Sequence, residues 1–226
     1  MRRLNTLLMA LPVLVGAPLA AQQRVEARDG NLFCIGADGE KHQLTDTGLD
    51  SKPDLAPASG EVVYIHRKTA PPEIGRGEVE PPENTQLWVV NASGAPRPRL
   101  LLRGQLRHVT NGWMRGGFFE ARWSLDGRYV YFLGDFAVTS FALFLLNVAT
   151  GQVRFLTPSM DWAIIPLGPW RGDLVVSRRT WGHDADGLEH YVYPFYLITP
   201  DGRTVRLVGK EGEHLEDVVT KLLASK

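Results

Sequence analysis

Apolar and polar residues alternate in short runs along most of this chain, and glycine, proline, asparagine or aspartate separates the runs. The runs are rich in β-branched and aromatic residues, which favour strands. They read LFCI, VVYI, LWVV, YVYFL, ALFLL, DLVV and FYLI. From Arg24 to Val208 no long stretch keeps the period of an amphipathic helix. The pattern therefore predicts an all-β fold over this part of the chain.

A helical pattern occupies residues 211–226. Its apolar positions recur three and four residues apart, which is the spacing of one helix face. They are Leu215, Val218, Val219, Leu222 and Leu223. We expect an amphipathic C-terminal helix that packs on the sheets.

Two kinds of hairpin alternate along the strand-rich part. In both kinds the turn ends in glycine, which suits a hairpin because it adopts a positive φ without a Cβ clash. The turn glycines are Gly39, Gly94, Gly151 and Gly202 in the first kind, and Gly60, Gly127 and Gly172 in the second.

One hairpin of each kind makes a four-stranded antiparallel unit, and the glycines of the first kind recur every 51 to 57 residues. Four strands at this period predict a partial or small β-propeller of about three and a half units over residues 22–210. The units should stack, because one sheet cannot bury both of its faces alone. An open end needs a capping device, and one option is self-association through an open blade edge.

The segment ARWSLDGRYVYFLGD, followed by LFLLNVATGQVRFLT, resembles the TolB-like, WD40-like propeller repeat. Trp123, Ser124, Asp126 and Gly127 match the pattern of that repeat, and Leu125 replaces its proline. Leu-Thr endings elsewhere in the chain match as well. The resemblance covers roughly residues 31–208 and implies a propeller fold. It implies no activity, because propellers host many functions.

Residues 1–21 have the layout of a secretory signal peptide. Arg2 and Arg3 precede an apolar run from Leu7 to Gly16, and small residues follow up to Ala21, where we expect cleavage. The apolar run is too short to span a bilayer as a stable helix. We therefore expect a periplasmic or secreted protein that does not span the membrane.

Charge, cysteine content and motifs narrow the classes of function. Basic and acidic residues balance at 25 each, which argues against a nucleic-acid partner because such proteins need a basic surface. The one cysteine, Cys34, lies in the apolar run NLFCIG, and we expect it to be buried. The sequence has no nucleophile elbow, P-loop or H-E-x-x-H motif, so an enzyme is disfavoured but still open.

Residues 181–191, WGHDADGLEHY, are rich in side chains of the kinds that bind metals. A calcium loop with Asp184 and Asp186 at its third and fifth positions would lack oxygen ligands at its first and last positions. His183 and His190 are too few for a zinc site without further ligands. A solvated polar loop, a partner contact and a metal site remain open, and we assign no metal or cofactor.

Long connections join the second and third strands of the units at 67–85, 134–140 and 178–192. Another joins successive units at 103–117, at the same end or at the opposite one, which the sequence does not decide. Equivalent connections project from the same face of a repeat array. The connection 67–85 is rich in proline, glycine and glutamate, which is typical of a partner-gripping flap or a tolerated insertion. Trp113 and its neighbour Met114 either anchor their connection or form a contact patch. The candidate partner-binding residues are Trp113, Trp181, His183, Asp184, Asp186 and His190.

The sequence as a whole favours an exported, non-catalytic module that binds another envelope protein, because repeat arrays present broad surfaces. The alternative is an envelope enzyme or a carbohydrate-binding protein with its site on the face that carries the long connections. A third interpretation is a degenerate propeller remnant that binds nothing.

Overall fold

A computed structural model describes residues 23–70, 81–109, 112–114, 116–137, 140–183 and 186–225. The predicted signal peptide, residues 1–21, lies outside the described residues. Within the described ranges, no helix is both long and apolar enough to cross a membrane.

The described residues form short strands, one single-turn 3-10 helix and one α-helix. In chain order the elements are β1 (Arg24–Arg28), β2 (Asn31–Ile35), β3 (Lys41–Gln43), β4 (Asp50–Leu55), β5 (Glu61–Arg67), the 3-10 turn Pro82–Asn84, β6 (Thr85–Asn91), β7 (Arg99–Arg103), β8 (Arg107–Val109), β9 (Gly112–Met114), β10 (Gly116–Trp123), β11 (Tyr129–Ala137), β12 (Ser140–Asn147), β13 (Val153–Pro158), β14 (Trp162–Ile164), β15 (Leu174–Ser177), β16 (Thr180–His183), β17 (Glu189–Val192), β18 (Phe195–Ile198), β19 (Thr204–Gly209) and α1 (Leu215–Ala224).

The main sheets follow chain order. The first has three strands, β1-β2-β3, and the next three have four strands each: β4-β5-β6-β7, β10-β11-β12-β13 and β14-β15-β18-β19. These sheets confirm the predicted four-stranded units with a partial unit before them. Strand β1 was not predicted, and it enlarges that partial unit. Two separate two-stranded pairs, β8-β9 and β16-β17, lie within connections that the sequence presents as loops.

Strict alternation along the strands buries both faces of each inner sheet. On β11 the side chains of Val130 and Phe132 enter the core shared with the second sheet, whereas Tyr131 and Leu133 enter the core shared with the fourth. Successive side chains of a strand point to opposite faces, so one strand serves both cores.

Four apolar clusters lie in a row and hold the stack together. One joins the first and second sheets and contains the buried Cys34; the next joins the second and third sheets and contains Trp123. The third joins the third and fourth sheets around Trp162, and the fourth lies between the fourth sheet and α1. Trp123 therefore fills the space between two neighbouring sheets.

The C-terminal helix covers the outer face of the fourth sheet. Val218 and Leu222 are buried against Val175, Phe195 and Leu197. This confirms both the predicted helix and the predicted capping of one end. Among the described residues no apolar cluster joins the first sheet to the fourth, so these residues form an open array of propeller type.

Charged residues cover the outer face of the first sheet. The Lys41 ammonium lies 4.1 Å from the centre of the Phe33 ring and 2.5 Å from Glu26 Oε1. The aliphatic part of a lysine can shield apolar surface while its charge stays in water. The two ends of the stack are thus covered differently, one by a helix and the other by an ion pair.

Truncation of Leu222 should destabilise the fold far more than truncation of its neighbour Leu223. Leu222 is 6% exposed and Leu223 is 40% exposed. We expect Leu222→Ala to lower the free energy of unfolding by about 2–5 kcal/mol, because it leaves a cavity between helix and sheet. Leu223→Ala should cost roughly 1 kcal/mol or less. Urea unfolding measures both, and equal losses would mean that α1 does not cover the fourth sheet.

Candidate interaction surface

The long connections between strands lie at one end of the stack. Each four-stranded sheet keeps chain order with antiparallel neighbours, so its glycine turns fall at one end and its other connections at the opposite end. We call this opposite end the connection end. Side-chain and backbone packing agrees: a Cβ on Gly116 would lie 2.6 Å from Pro82 Cβ, and Thr85 Oγ1 accepts the Phe118 N–H at 2.7 Å. The connection 103–117 therefore belongs to this end.

The connection 178–192 contains a regular two-stranded ribbon rather than the irregular loop that its polar sequence suggested. Strands β16 and β17 pair with Trp181 opposite Tyr191. Gly182 allows this close pairing, because a Cβ there would lie 2.6 Å from Val192 Cγ1. We call β16 and β17 the ribbon.

An exposed aromatic stack lies on one face of the ribbon. The rings of Trp181 and Tyr191 have centroids 4.3 Å apart with an interplanar angle of 34°, and the Arg179 guanidinium lies 4.5 Å from the Tyr191 ring. Trp181 is 59% exposed and Tyr191 is 45% exposed. Such contacts favour one arrangement of the rings, so the stack presents an ordered aromatic face to solvent.

A second arginine, Arg178, lies two residues before β16, at the base of the ribbon, which we call its foot. Arg178 Nε donates to Thr157 Oγ1 at 2.9 Å, and its guanidinium lies 5.0 Å from the Tyr196 ring. Burial lowers the pKa of the Arg178 guanidinium below its ordinary value. The backbone N–H of Met160 donates to the carbonyl of Ser177, which brings the partly exposed Met160 beside this foot.

The described side chains of the ligand-rich segment, residues 181–191, do not converge on one point. His183 Nε2 lies 3.6 Å from Glu189 Oε1, and both side chains are mostly exposed, so this pair contributes little to stability. His190 pairs with Gly182 across the two strands, on the ribbon face that does not carry His183 and Trp181. Asp186 is exposed, and Asp184 lies outside the described residues. In the described part of the chain, no three side chains of His, Cys, Asp or Glu are grouped to hold a metal ion.

Trp113 and Met114 belong to the other small pair, β8-β9, where Trp113 lies opposite His108. Met114 is fully buried in the core between the second and third sheets. Met114 therefore anchors its connection, as one of the two alternatives predicted. The structure thus places Trp181, His183 and His190 together on the ribbon, and Trp113 on a separate element.

Four residues of the ribbon and of the segments beside it were not among the predicted site residues: Tyr191, Arg178, Arg179 and Met160. Tyr191 becomes the partner of Trp181 only through the strand register, because the segments TWGH and EHYV carry no clear alternation of apolar and polar residues. The other three depend on contacts with distant residues, which no local pattern records.

A buried carboxylate lies at the same end, between the first and second sheets. Asp50 accepts hydrogen bonds from Thr47 Oγ1 and from His66 Nδ1, each at 2.7 Å. Such a pair can orient a catalytic histidine. Here Ser51 lies opposite Ile65 on the other face of the sheet and offers no nucleophile to His66. The Asp50–His66 pair ties the connection before β4 to strand β5.

A carboxylate on β4 also forms a hydrogen bond with β10. Asp54 Oδ2 accepts the backbone N–H of Trp123 at 2.8 Å. Burial raises the pKa of Asp54 above its ordinary value, although this hydrogen bond and the charge of Arg122 act in the opposite direction. The carboxylate links two sheets, but its charge is partly desolvated.

Comparison with known proteins shows the fold of the chain but neither its family nor its function. No protein-family model matches the chain, and no curated protein sequence does. Oligogalacturonate lyase from Vibrio parahaemolyticus is similar in structure, with a TM-score of 0.50 and 16% identity over 81% of this chain and 43% of the lyase. The chain is therefore similar in fold to β-propeller proteins.

Two further solved structures are similar at a lower level. The β-propeller domain of the Trilobed protease from Pyrococcus furiosus has a TM-score of 0.48 and 11% identity, over 80% of this chain and 48% of that one. Acylaminoacyl peptidase from Pyrococcus horikoshii has a TM-score of 0.49 and 15% identity, over 83% of this chain and 30% of the peptidase. The chain spans less than half of each of these proteins.

Asp54→Asn should stabilise the protein relative to wild type by an amount that grows as pH rises. Because the folded-state pKa is raised, the contribution of Asp54 is greatest below the unfolded-state pKa and is lost as pH rises through the folded-state pKa. Asn can still accept the Trp123 N–H. Urea unfolding at several values between about pH 3 and about pH 7 measures the difference.

Asp201→Asn is a control of opposite sign. A hydrogen bond from Thr199 lowers the pKa of this exposed carboxyl. Its contribution is present above the unfolded-state pKa and is lost as pH falls, so this variant should become slightly less stable than wild type as pH rises. If both variants follow the same trend, the account of Asp54 is wrong.

Proposed function

We propose that this chain is an exported, non-catalytic binding module with TolB-like repeats, which contacts another protein of the periplasm or cell envelope. The contact surface is the ribbon and its foot. The observation that carries the proposal is the exposed stack of Arg179, Tyr191 and Trp181 at the connection end. An aromatic stack that stays exposed to water lowers solubility, and a partner that covers it accounts for its presence.

Exposed apolar side chains support this choice of surface. Among the described residues, most large hydrophobic side chains that remain exposed lie at the connection end: Leu106, Met160, Trp181, Leu188 and Tyr191. The glycine-turn end carries Leu167. The asymmetry favours the connection end as the contact face.

The residue types at the ribbon favour a protein partner. Centres of protein interfaces are enriched in tryptophan, tyrosine, methionine and arginine, and they are depleted in lysine and aspartate. Trp181, Tyr191, Met160, Arg178 and Arg179 fit that composition. The competing proposal, a carbohydrate site, relies on the open face of the Trp181 ring alone and gives no role to Met160.

A second contact is proposed at the edge strand β19, where another copy of the chain could add a strand. Val205 is 40% exposed and Leu207 is 56% exposed on this strand. Exposed apolar edges are prone to pairing with other chains. The solution mass of the protein over a range of concentrations tests this contact.

Site-specific crosslinking tests the proposed function. A photo-crosslinking residue at position 188 should give a discrete heavier species in the envelope fraction, which mass spectrometry identifies. The same residue at position 167 is the matched control, because Leu188 and Leu167 are 66% and 65% exposed at opposite ends of the stack. Equal yields at both positions would contradict the proposed surface.

Trp181→Ala should weaken binding of the crosslinked protein by about 30-fold or more, because central tryptophans commonly dominate interface energies. Leu167→Ala should leave the affinity unchanged. Titration of the purified proteins by calorimetry gives both values, and the unfolding free energies of both variants should stay close to wild type. An unchanged affinity for Trp181→Ala would rule out the ribbon as the centre of the interface.

A further inference from the structure

Arg178 is held in one position by three groups of this chain. Its Nε donates to Thr157 Oγ1, its backbone N–H donates to the Pro194 carbonyl at 3.1 Å, and its guanidinium packs near the Tyr196 ring. Thr157 is itself only 2% exposed. Arginine loses much conformational entropy when it binds a ligand, and an arginine already held in place has met that cost on folding.

The charge of Arg178 has no carboxylate to balance it among the described residues. Three other arginines, Arg99, Arg122 and Arg128, pair with Glu61, Glu120 and Asp126 respectively, and what sets Arg178 apart from the remaining arginines is its burial. Arg178 is half-buried, and this burial lowers the pKa of its guanidinium. A partly desolvated cation without a counter-charge is unfavourable, so an anion that arrives with a partner would stabilise it.

The surroundings of Arg178 indicate what kind of anion fits. Met160 is 43% exposed beside the foot of the ribbon, and Trp181 is 59% exposed on the ribbon itself. Met160 is placed beside Arg178 by its hydrogen bond to the Ser177 carbonyl, and Trp181 follows Arg178 by three residues, so we expect a ligand that reaches Arg178 to meet apolar surface as well. A protein segment with an acidic side chain next to an apolar one satisfies both requirements, whereas a free inorganic anion satisfies only the first.

We propose that Arg178 receives a carboxylate side chain of the partner protein, whose neighbouring apolar side chain packs on Trp181. This inference rests on the proposed function and names the chemistry of the partner. The guanidinium edge that Thr157 does not occupy supplies the paired N–H donors that fit a carboxylate. Arg178 thereby adds specificity to a surface whose affinity comes from the aromatic stack.

Selection of random displayed peptides on the full chain tests the inference even while the partner protein is unidentified. Peptides that bind wild type but not Trp181→Ala should be enriched in Asp or Glu next to an apolar residue. Replacing that acidic residue by its amide should weaken binding about 30-fold, and so should Arg178→Gln. The two changes together should cost no more than either alone, because they remove one interaction.

Matched variants distinguish a specific contact of Arg178 from a general effect of positive charge or a loss of folding. Arg171→Gln, at the glycine-turn end, should leave peptide affinity unchanged. Arg178→Lys keeps the charge but loses the planar pair of donors, so its affinity should fall between wild type and Arg178→Gln. If Arg178→Gln does not fold, the acid-to-amide change in the peptide still measures the interaction.

The outcomes separate the two proposals. Peptides that require Trp181 but show no acidic preference, and no loss with Arg178→Gln, overturn this inference and leave the proposed function standing. A selection without any peptide that requires Trp181 overturns both. Self-association that Trp181→Ala abolishes would make a second copy the occupant and would overturn the choice of partner.

Discussion

The fold depends on one constraint: each inner sheet is apolar on both faces, so each face must pack against another element. On β11, Val130 and Phe132 face the second sheet while Tyr131 and Leu133 face the fourth. A sheet of this kind is unstable alone and stable in a stack. The last face meets the same requirement through α1, where Val218 and Leu222 are buried.

Because the apolar cores lie between sheet faces, the residues at the ends of the strands contribute little to the buried apolar surface. The glycine-turn end uses short turns, whereas the connection end carries the ribbon and its exposed aromatic stack. A rigid stack of sheets thus supports a variable surface at one end. The Asp50–His66 pair fixes part of the connection end to the second sheet. The hydrogen bond from the Trp123 N–H to Asp54 joins the second sheet to the third.

Local pattern was enough to predict the sheets, the glycine turns and the C-terminal helix, because each depends on a short period repeated several times. It was not enough for the ribbon, where four-residue strands flank a polar tip that resembled a loop. Arg178 was missed because its contact with Thr157 joins residues 21 positions apart, and the Asp50–His66 pair joins residues 16 apart. Trp181 was predicted, but its partner Tyr191 follows only from the strand register.

Hydrogen exchange measured by mass spectrometry, with and without the crosslinked partner, tests the central claim most directly. In the free protein the amides of β11 and β12 should exchange most slowly, because both faces of these inner strands are buried. The partner should slow exchange in segments 158–161 and 178–192 and leave the glycine-turn end unchanged. Protection at the glycine turns, or along β19 alone, would contradict a module that binds through the ribbon.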